Sequence, residues 1–185
     1  MSGADGLPPE ARTRLLELAR LAIASHLQGE DPALAAADDD PWPPRGAFVT
    51  LKTRSNGYLR GCIGHVEADQ PLAVTVRRMA VAAATQDPRF PLVTPEELAA
   101  LRLEISVLSP LAPIRPEEVE VGRHGLLVRF RGHSGLLLPQ VPVAQRWDRE
   151  TFLDHTCRKA GLPTDTWRDP ACELLAFTAI VFGEE

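Results

Sequence analysis

Between residues 8 and 28 apolar side chains recur at helical spacing. Leu15, Leu18, Ala22 and Leu27 fall near one face, and Leu16, Ala19 and Ile23 widen it. Pro8 and Pro9 mark an entry and Gly29 a stop, so an amphipathic helix is expected over about 9–28. The pattern then lapses. Residues 29–46 are rich in Ala, Asp and Pro and include Asp38–Asp39–Asp40. They read as a loop, with the acidic run either a solvated stretch or a docking handle.

Next, two apolar segments flank Ser55–Asn56–Gly57. Asn-Gly is a hairpin signal because both residues tolerate positive φ, so Phe48–Thr53 and Tyr58–Ile63 should pair antiparallel. Pro71 opens a helix to about Gln86, and its small residues Ala80–Ala84 permit close packing on a sheet. Asp87–Pro88–Arg89–Phe90–Pro91 cannot continue it, since proline restrains itself and the residue before it. Thr94–Pro95–Glu96–Glu97 is a capping box. Leu101, Leu103, Ile105 and Val107 alternate with Arg102, Glu104 and Ser106, the period of a half-buried strand.

The second half repeats the plan. Leu126–Phe130 and Gly135–Leu138 flank a turn at Gly132–His133–Ser134. Asp148 N-caps a helix to Ala160, with Gly161 as its stop, and Leu174–Phe182 reads as one buried strand. Both halves are hairpin, helix, strand. Laying Gly57 on Gly135 also lays Phe48 on Leu126, Leu59 on Leu137 and Cys62 on Gln140. The expectation is an α+β fold: a curved, mainly antiparallel sheet shared by two duplicated halves, about 46–110 and 120–183, with helices outside.

Composition narrows the class. The chain has 185 residues, a net charge of −5, 44% hydrophobic and 24% charged residues, all ordinary for a soluble globular protein. That charge argues against a broad nucleic-acid footprint. The acidic Asp5 and Glu10 and the lack of an apolar h-region do not read as a signal peptide, and no run reaches the ~20 apolar residues of a membrane span. Three widely spaced cysteines, Cys62, Cys157 and Cys172, suit free thiols in a reducing compartment, so a cytoplasmic location is expected.

The densest chemistry is Leu59–Arg60–Gly61–Cys62–Ile63–Gly64–His65. Gly61 and Gly64 bracket a cysteine at a strand end, where glycine admits a close neighbour. Strand period puts Arg60 and Cys62 on one face, and a guanidinium beside a thiol favours the thiolate. Cys62 is thus a candidate nucleophile; the competing reading is a small buried hydrophobe. Cys157, mid-helix, and Cys172, beside a buried strand, read as packing. Cys62 and His65 fall on opposite faces unless the chain turns at Gly64, and two ligands are too few for a closed zinc site. No metal or cofactor is expected.

His124 lies between glycines in Val121–Gly122–Arg123–His124–Gly125–Leu126. It reads either as an acid/base at a tight turn or as a turn histidine bonded to nearby backbone. Arg123 beside it is a further candidate contact. Arg89, in its proline-stiffened segment, either grips an anion or pins its own loop through Asp87. Gln140 becomes a polar contact if the duplication holds. The phosphate-loop, dinucleotide, zinc-protease and nucleophile-elbow patterns are all absent.

These segments carry a resemblance. LRGCIG at 59–64 is similar to the hallmark of the AMMECR family. The likeness extends to GAFVTLK at 46–52, DPRFPLVTPEEL at 87–98, ISVLSPL at 105–111, VGRHGL at 121–126 and GLLLPQV at 135–141. It continues through Trp147–Asp148, Phe152–Leu153 and Lys159–Ala160–Gly161–Leu162, covering roughly residues 10–184, with 30–45 least alike. Bacterial and archaeal members are called protein A of the AmmeMemoRadiSam system. The resemblance implies a single AMMECR-type domain of two intimate lobes, with the cysteine motif in a cleft. It also implies a role beside a Memo-like protein and a radical S-adenosylmethionine protein. It implies no settled reaction: the readings are a cysteine-dependent enzyme on a small anionic substrate, or a ligand-binding or partner-docking module.

Overall fold

The computed structural model describes residues 6–30 and 42–185. Asp5 and the run Asp38–Asp40 lie outside the described residues. The chain divides into two compact units, one of residues 1–108 with 180–185 and one of 109–179.

The first unit begins with helix α1, Pro9–Leu27, close to its sequence pattern. Strand β1 spans Ala47–Thr53, β2 Leu59–His65 and β3 Leu101–Leu108; helix α2 spans Leu72–Thr85 and the short α3 Pro95–Leu98. The last strand of the chain, β8, Ala179–Gly183, completes a four-stranded sheet of order β2-β1-β3-β8. Along β1, Ala47, Val49 and Leu51 are fully buried, and β3 offers Leu101, Leu103, Ile105 and Val107 to the same side. They pack with Leu15, Ala19 and Ile23 of α1 and Leu72, Val76 and Ala80 of α2 in one apolar cluster. Truncating such a leucine to alanine costs about 2–5 kcal/mol.

Gly61 explains how α2 reaches the sheet. It stands opposite Leu51, and a Cβ there would sit 2.1 Å from the carbonyl oxygen of Ala83. The helix backbone occupies the volume a side chain would need, which is why small residues line α2 where it meets β2.

The second unit holds β4 (Ala112–Pro113), β5 (Gly125–Phe130), β6 (His133–Leu137) and β7 (Glu173–Phe177), in the order β4-β7-β5-β6. Helices α4, Gln140–Gln145, and α5, Arg149–Lys159, follow the hairpin. The core joins Leu126 and Val128 of β5, Phe152, Leu153 and Cys157 of α5, and Leu174 and Ala176 of β7. Asp148 caps α5 by accepting from the Thr151 N–H at 2.8 Å, and Gly161 ends the helix with φ of 73°.

The α+β class with antiparallel sheets stands, but the sheet is not shared. The two hairpins belong to separate four-stranded sheets. The predicted single strand Leu174–Phe182 is broken at Thr178, whose N–H and carbonyl both turn to Ser109. That break frees the last strand to join the first unit's sheet. The two halves do share a topology: each hairpin's first strand is flanked by its partner and by the strand after the helix. The equivalence differs from the one expected, however. A Cβ on Gly135 would meet the backbone of Ala160, at the C-terminal cap of α5, at 2.3 Å, so Gly135 is the counterpart of Gly61, not of Gly57.

The turns explain that slip. In the first hairpin only Gly57 takes positive φ, at 72°; the Asn56 side chain instead accepts from Tyr58 N–H at 3.0 Å. The second hairpin turns tightly on Arg131 and Gly132, with φ of 48° and 84°, the primed geometry that matches strand twist. His133 and Ser134 therefore lie in β6, and the shorter turn changes the alignment of the halves. Pro139–Gln140 opens α4 instead of ending a strand, so Gln140 does not match Cys62.

Candidate functional site

Cys62 sits on β2, directly across from Thr50 of β1. Gly61 faces α2, so alternation turns Cys62 to the opposite face of the sheet. There the Thr50 hydroxyl donates to its sulfur at 3.2 Å, and Thr50 also stands opposite Glu104 of β3. Lys52 pairs with Glu104 at 2.8 Å. Cys62 is half-buried.

The backbone of Cys62 is held by Asp87. β2 is an edge strand, and its Cys62 N–H points outward and donates to Asp87 Oδ2 at 2.9 Å. The same carboxylate takes Arg89 Nε at 2.9 Å, Arg89 Nη2 at 2.7 Å and the Arg89 N–H at 3.1 Å. Arg89 and then the Cys62 N–H overcome burial and hold the Asp87 carboxyl well below the usual carboxylate range. Asp87 in turn raises Arg89, and an anionic Cys62 would act on Arg89 in the same sense. The proline-stiffened segment thus pins its own loop, as one of the two readings of Arg89 anticipated, while over half of the arginine side chain stays exposed.

Arg60 goes elsewhere. The register slips between Leu51 and Lys52, so strict alternation does not carry from Cys62 to Arg60. Its guanidinium grips Glu97 at 2.5 and 3.0 Å and reaches the carbonyls of Pro91 at 2.9 Å and Leu92 at 3.4 Å. It is a clamp on the segment 91–97. Gly64 serves packing too, since a Cβ would fall 2.2 Å from the Phe48 ring. β2 continues through His65, which bonds Asp69 at 2.7 Å; no turn at Gly64 brings it back to Cys62.

His124, Arg123 and Gln140 belong to the second unit. His124 Nδ1 accepts from the Glu120 N–H at 3.0 Å, and the His124 N–H returns to the Glu120 carbonyl at 3.0 Å. This is the turn histidine of the plainer reading. Because Nδ1 is an acceptor, the neutral ring carries its proton on Nε2. Arg123 pairs with Glu120 at 3.1 Å on the surface. Gln140 is exposed at the start of α4. Of the other thiols, burial pushes Cys157 up to about 11 and also raises Cys172.

Thr50, Asp87 as acceptor of the Cys62 N–H, and Glu97 escaped the sequence reading. Each becomes visible only once the fold brings residues 12, 25 and 37 positions apart into contact, Thr50 by strand register and the other two by packing against β2. Among the described residues no three His, Cys, Asp or Glu side chains gather as a metal set. No helix there is long and apolar enough to cross a membrane.

Comparison with known proteins places these features in context. The family model described as AMMECR1 matches residues 16–182. Protein MK0488 of Methanopyrus kandleri is 44% identical, covering 92% of this chain and 87% of its own. A protein of Thermococcus gammatolerans is 46% identical over 92% of this chain and 89% of its own. The crystal structure of the uncharacterized protein PH0010 from Pyrococcus horikoshii has a TM-score of 0.88 at 41% identity, covering 97% of this chain and 94% of that one.

Proposed function

This chain belongs to the AMMECR1 family, and we propose that it is a component of the AmmeMemoRadiSam system in which Cys62 engages a small anionic ligand. It would act beside a Memo-like protein and a radical S-adenosylmethionine protein, in the cytoplasm. The observation that carries the reading is the environment of the thiol. Cys62 is half-buried on the sheet face away from α2, its sulfur accepts from the Thr50 hydroxyl, and its backbone N–H donates to the Asp87 carboxylate that holds the Arg89 cation. A hydroxyl donor and a cation are what a nucleophilic or covalently carrying thiolate uses. Arg89 keeps an exposed guanidinium edge for an anion, whereas Arg60 is committed to Glu97.

A second reading, a non-catalytic ligand-binding or partner-docking module, draws on a different observation. Among the described residues the sulfur's hydrogen-bond partner is a hydroxyl and not an imidazole, so no base stands beside it as in a cysteine–histidine pair. A nucleic-acid role is weakened by the net charge of −5.

Site-resolved alkylation of the native protein across pH, read by mass spectrometry, tests the thiol. Cys157 and Cys172 are internal controls. Fast labelling of Cys62 well below pH about 8.5, the ordinary thiol value, supports the reactive reading. Labelling as slow as that of Cys157 removes it. Full activity of Cys62→Ser and Cys62→Ala in a pathway assay would remove covalent chemistry while leaving the docking module. Co-purification with the Memo-like and radical proteins, tested at micromolar concentration, separates the partner role.

A further inference from the structure

We infer that the second unit carries a binding pocket for a short-chain carboxylate, with the His124 Nε2–H and the Thr178 hydroxyl as its two donors. The pocket, about 200 Å³, is lined by Ser109, Ala112, Ile114, His124, Phe177 and Thr178 among others. It lies where β7 ends and the chain breaks from one strand to the next, so its rim is made of backbone that has left the ladder.

Polar groups on the lining divide into spent and unspent. The Ser109 hydroxyl is spent: it accepts from the Thr178 N–H at 2.9 Å and faces the Pro110 carbonyl at 3.3 Å. His124 Nδ1 is spent on the Glu120 N–H. That bond leaves the neutral ring's proton on Nε2, an atom with no hydrogen bond among the described residues, and the Thr178 hydroxyl likewise has none there. Two donors thus line one pocket whose remaining walls are Pro, Ala, Ile and Phe, and among the described residues no acidic side chain lines it. The complement of two donors in an apolar, acid-free pocket is an oxygen anion with a short hydrocarbon tail. The short apolar wall matches a tail of a few carbons.

In this role His124 is a binding donor held in one tautomer, not a proton acceptor, because accepting at Nε2 is blocked by the proton already there. Among the described residues this pocket holds no thiol, and it belongs to the second unit, whereas Cys62 belongs to the first. The His124 Nε2 shift reports on the pocket and the labelling of Cys62 on the thiol, so failure of either idea is distinguishable from failure of the other.

The test is an NMR titration of the ¹⁵N-histidine-labelled full chain with sodium butyrate, with butyramide as the neutral counterpart. Without ligand, His124 should show the Nε2–H tautomer at pH 8. Butyrate should shift the His124 Nε2 resonance saturably, with dissociation at about 1–10 mM as expected for so small a ligand, and its methyl should give contacts to Phe177. Butyramide should bind more weakly. Thr178→Val keeps the branched shape and the backbone bonds to Ser109, and should weaken butyrate by about five-fold or more for one lost hydrogen bond. An Nδ1–H tautomer, equal binding by Thr178→Val, or no saturable shift up to about 100 mM, a hundred times the tightest value expected, would each overturn the inference.

Discussion

Replacing Asp87 by alanine should destabilise the first unit by about 2–3 kcal/mol, and the loss should depend on pH. The carboxylate is 6% exposed and accepts one hydrogen bond from the Cys62 backbone and three from Arg89. Removal leaves the edge N–H of Cys62 unpaired, a cost of about 1–3 kcal/mol for a buried donor. The arginine adds less, because its side chain is 55% exposed and water replaces the lost partner at a net cost of under about 1 kcal/mol. Asp87 has a depressed folded pKa. Its ionic contribution is therefore fully present above the unfolded value near 3.9 and lost as pH falls through the lower folded value. The difference between wild type and Asp87→Asn should be flat above about pH 5 and smaller by about 1 kcal/mol at pH 3. Urea unfolding at pH 7 and pH 3 measures both, with unchanged m-values as the check that the unfolded state is the same. A Asp87→Ala cost within about 0.5 kcal/mol of zero, the range of a neutral surface change, would refute the claim that Asp87 holds the β2 edge. A wild-type to Asn difference that is equal at both pH values would refute its charge.

Gly61→Ala and Gly135→Ala each press a Cβ into helix backbone, at 2.1 and 2.3 Å. Each should cost about 3 kcal/mol or more in denaturant melts, whereas Gly132→Ala, with open space but φ of 84°, should cost about 1 kcal/mol of backbone strain. At Glu184, burial pushes the carboxyl up, but the Arg20 pair and the Leu103 N–H outweigh it and hold it low. Glu184→Gln should lower the melting temperature at pH 7, and the deficit should shrink as pH drops below about 4.3, the unfolded value. Cys157, buried and raised to about 11, should resist iodoacetamide at pH 8 and label rapidly only in denaturant, as peptide mapping would show.

The local pattern alone determined much of this protein. The period of β3, the cap at Asp148 and the stop at Gly161 emerge in the structure as read, and Thr94 accepts from the Glu97 N–H as its capping box requires, although the Glu97 carboxylate goes to Arg60; each local feature depends on neighbours a few positions away. The pairing of Arg89 with Asp87, two residues apart, was legible for the same reason. What only the tertiary structure decided involves distance along the chain. A one-residue register slip sends Arg60 to Glu97 and away from Cys62, and no periodicity of β2 alone contains that slip. The apolar run from Leu174 to Phe182 is nearly continuous in sequence, yet its one polar residue, Thr178, exchanges hydrogen bonds with Ser109 and the run divides between two sheets. Burial holds for Leu174–Phe177, whereas no residue of β8 is buried and Val181 is exposed; which edge each half pairs with is settled by backbone partners contributed from elsewhere. The glycines of LRGCIG carry the same lesson. Composition marks them as sites of close approach, and only the packed fold reveals that what approaches is Ala83 and Phe48 of the chain itself.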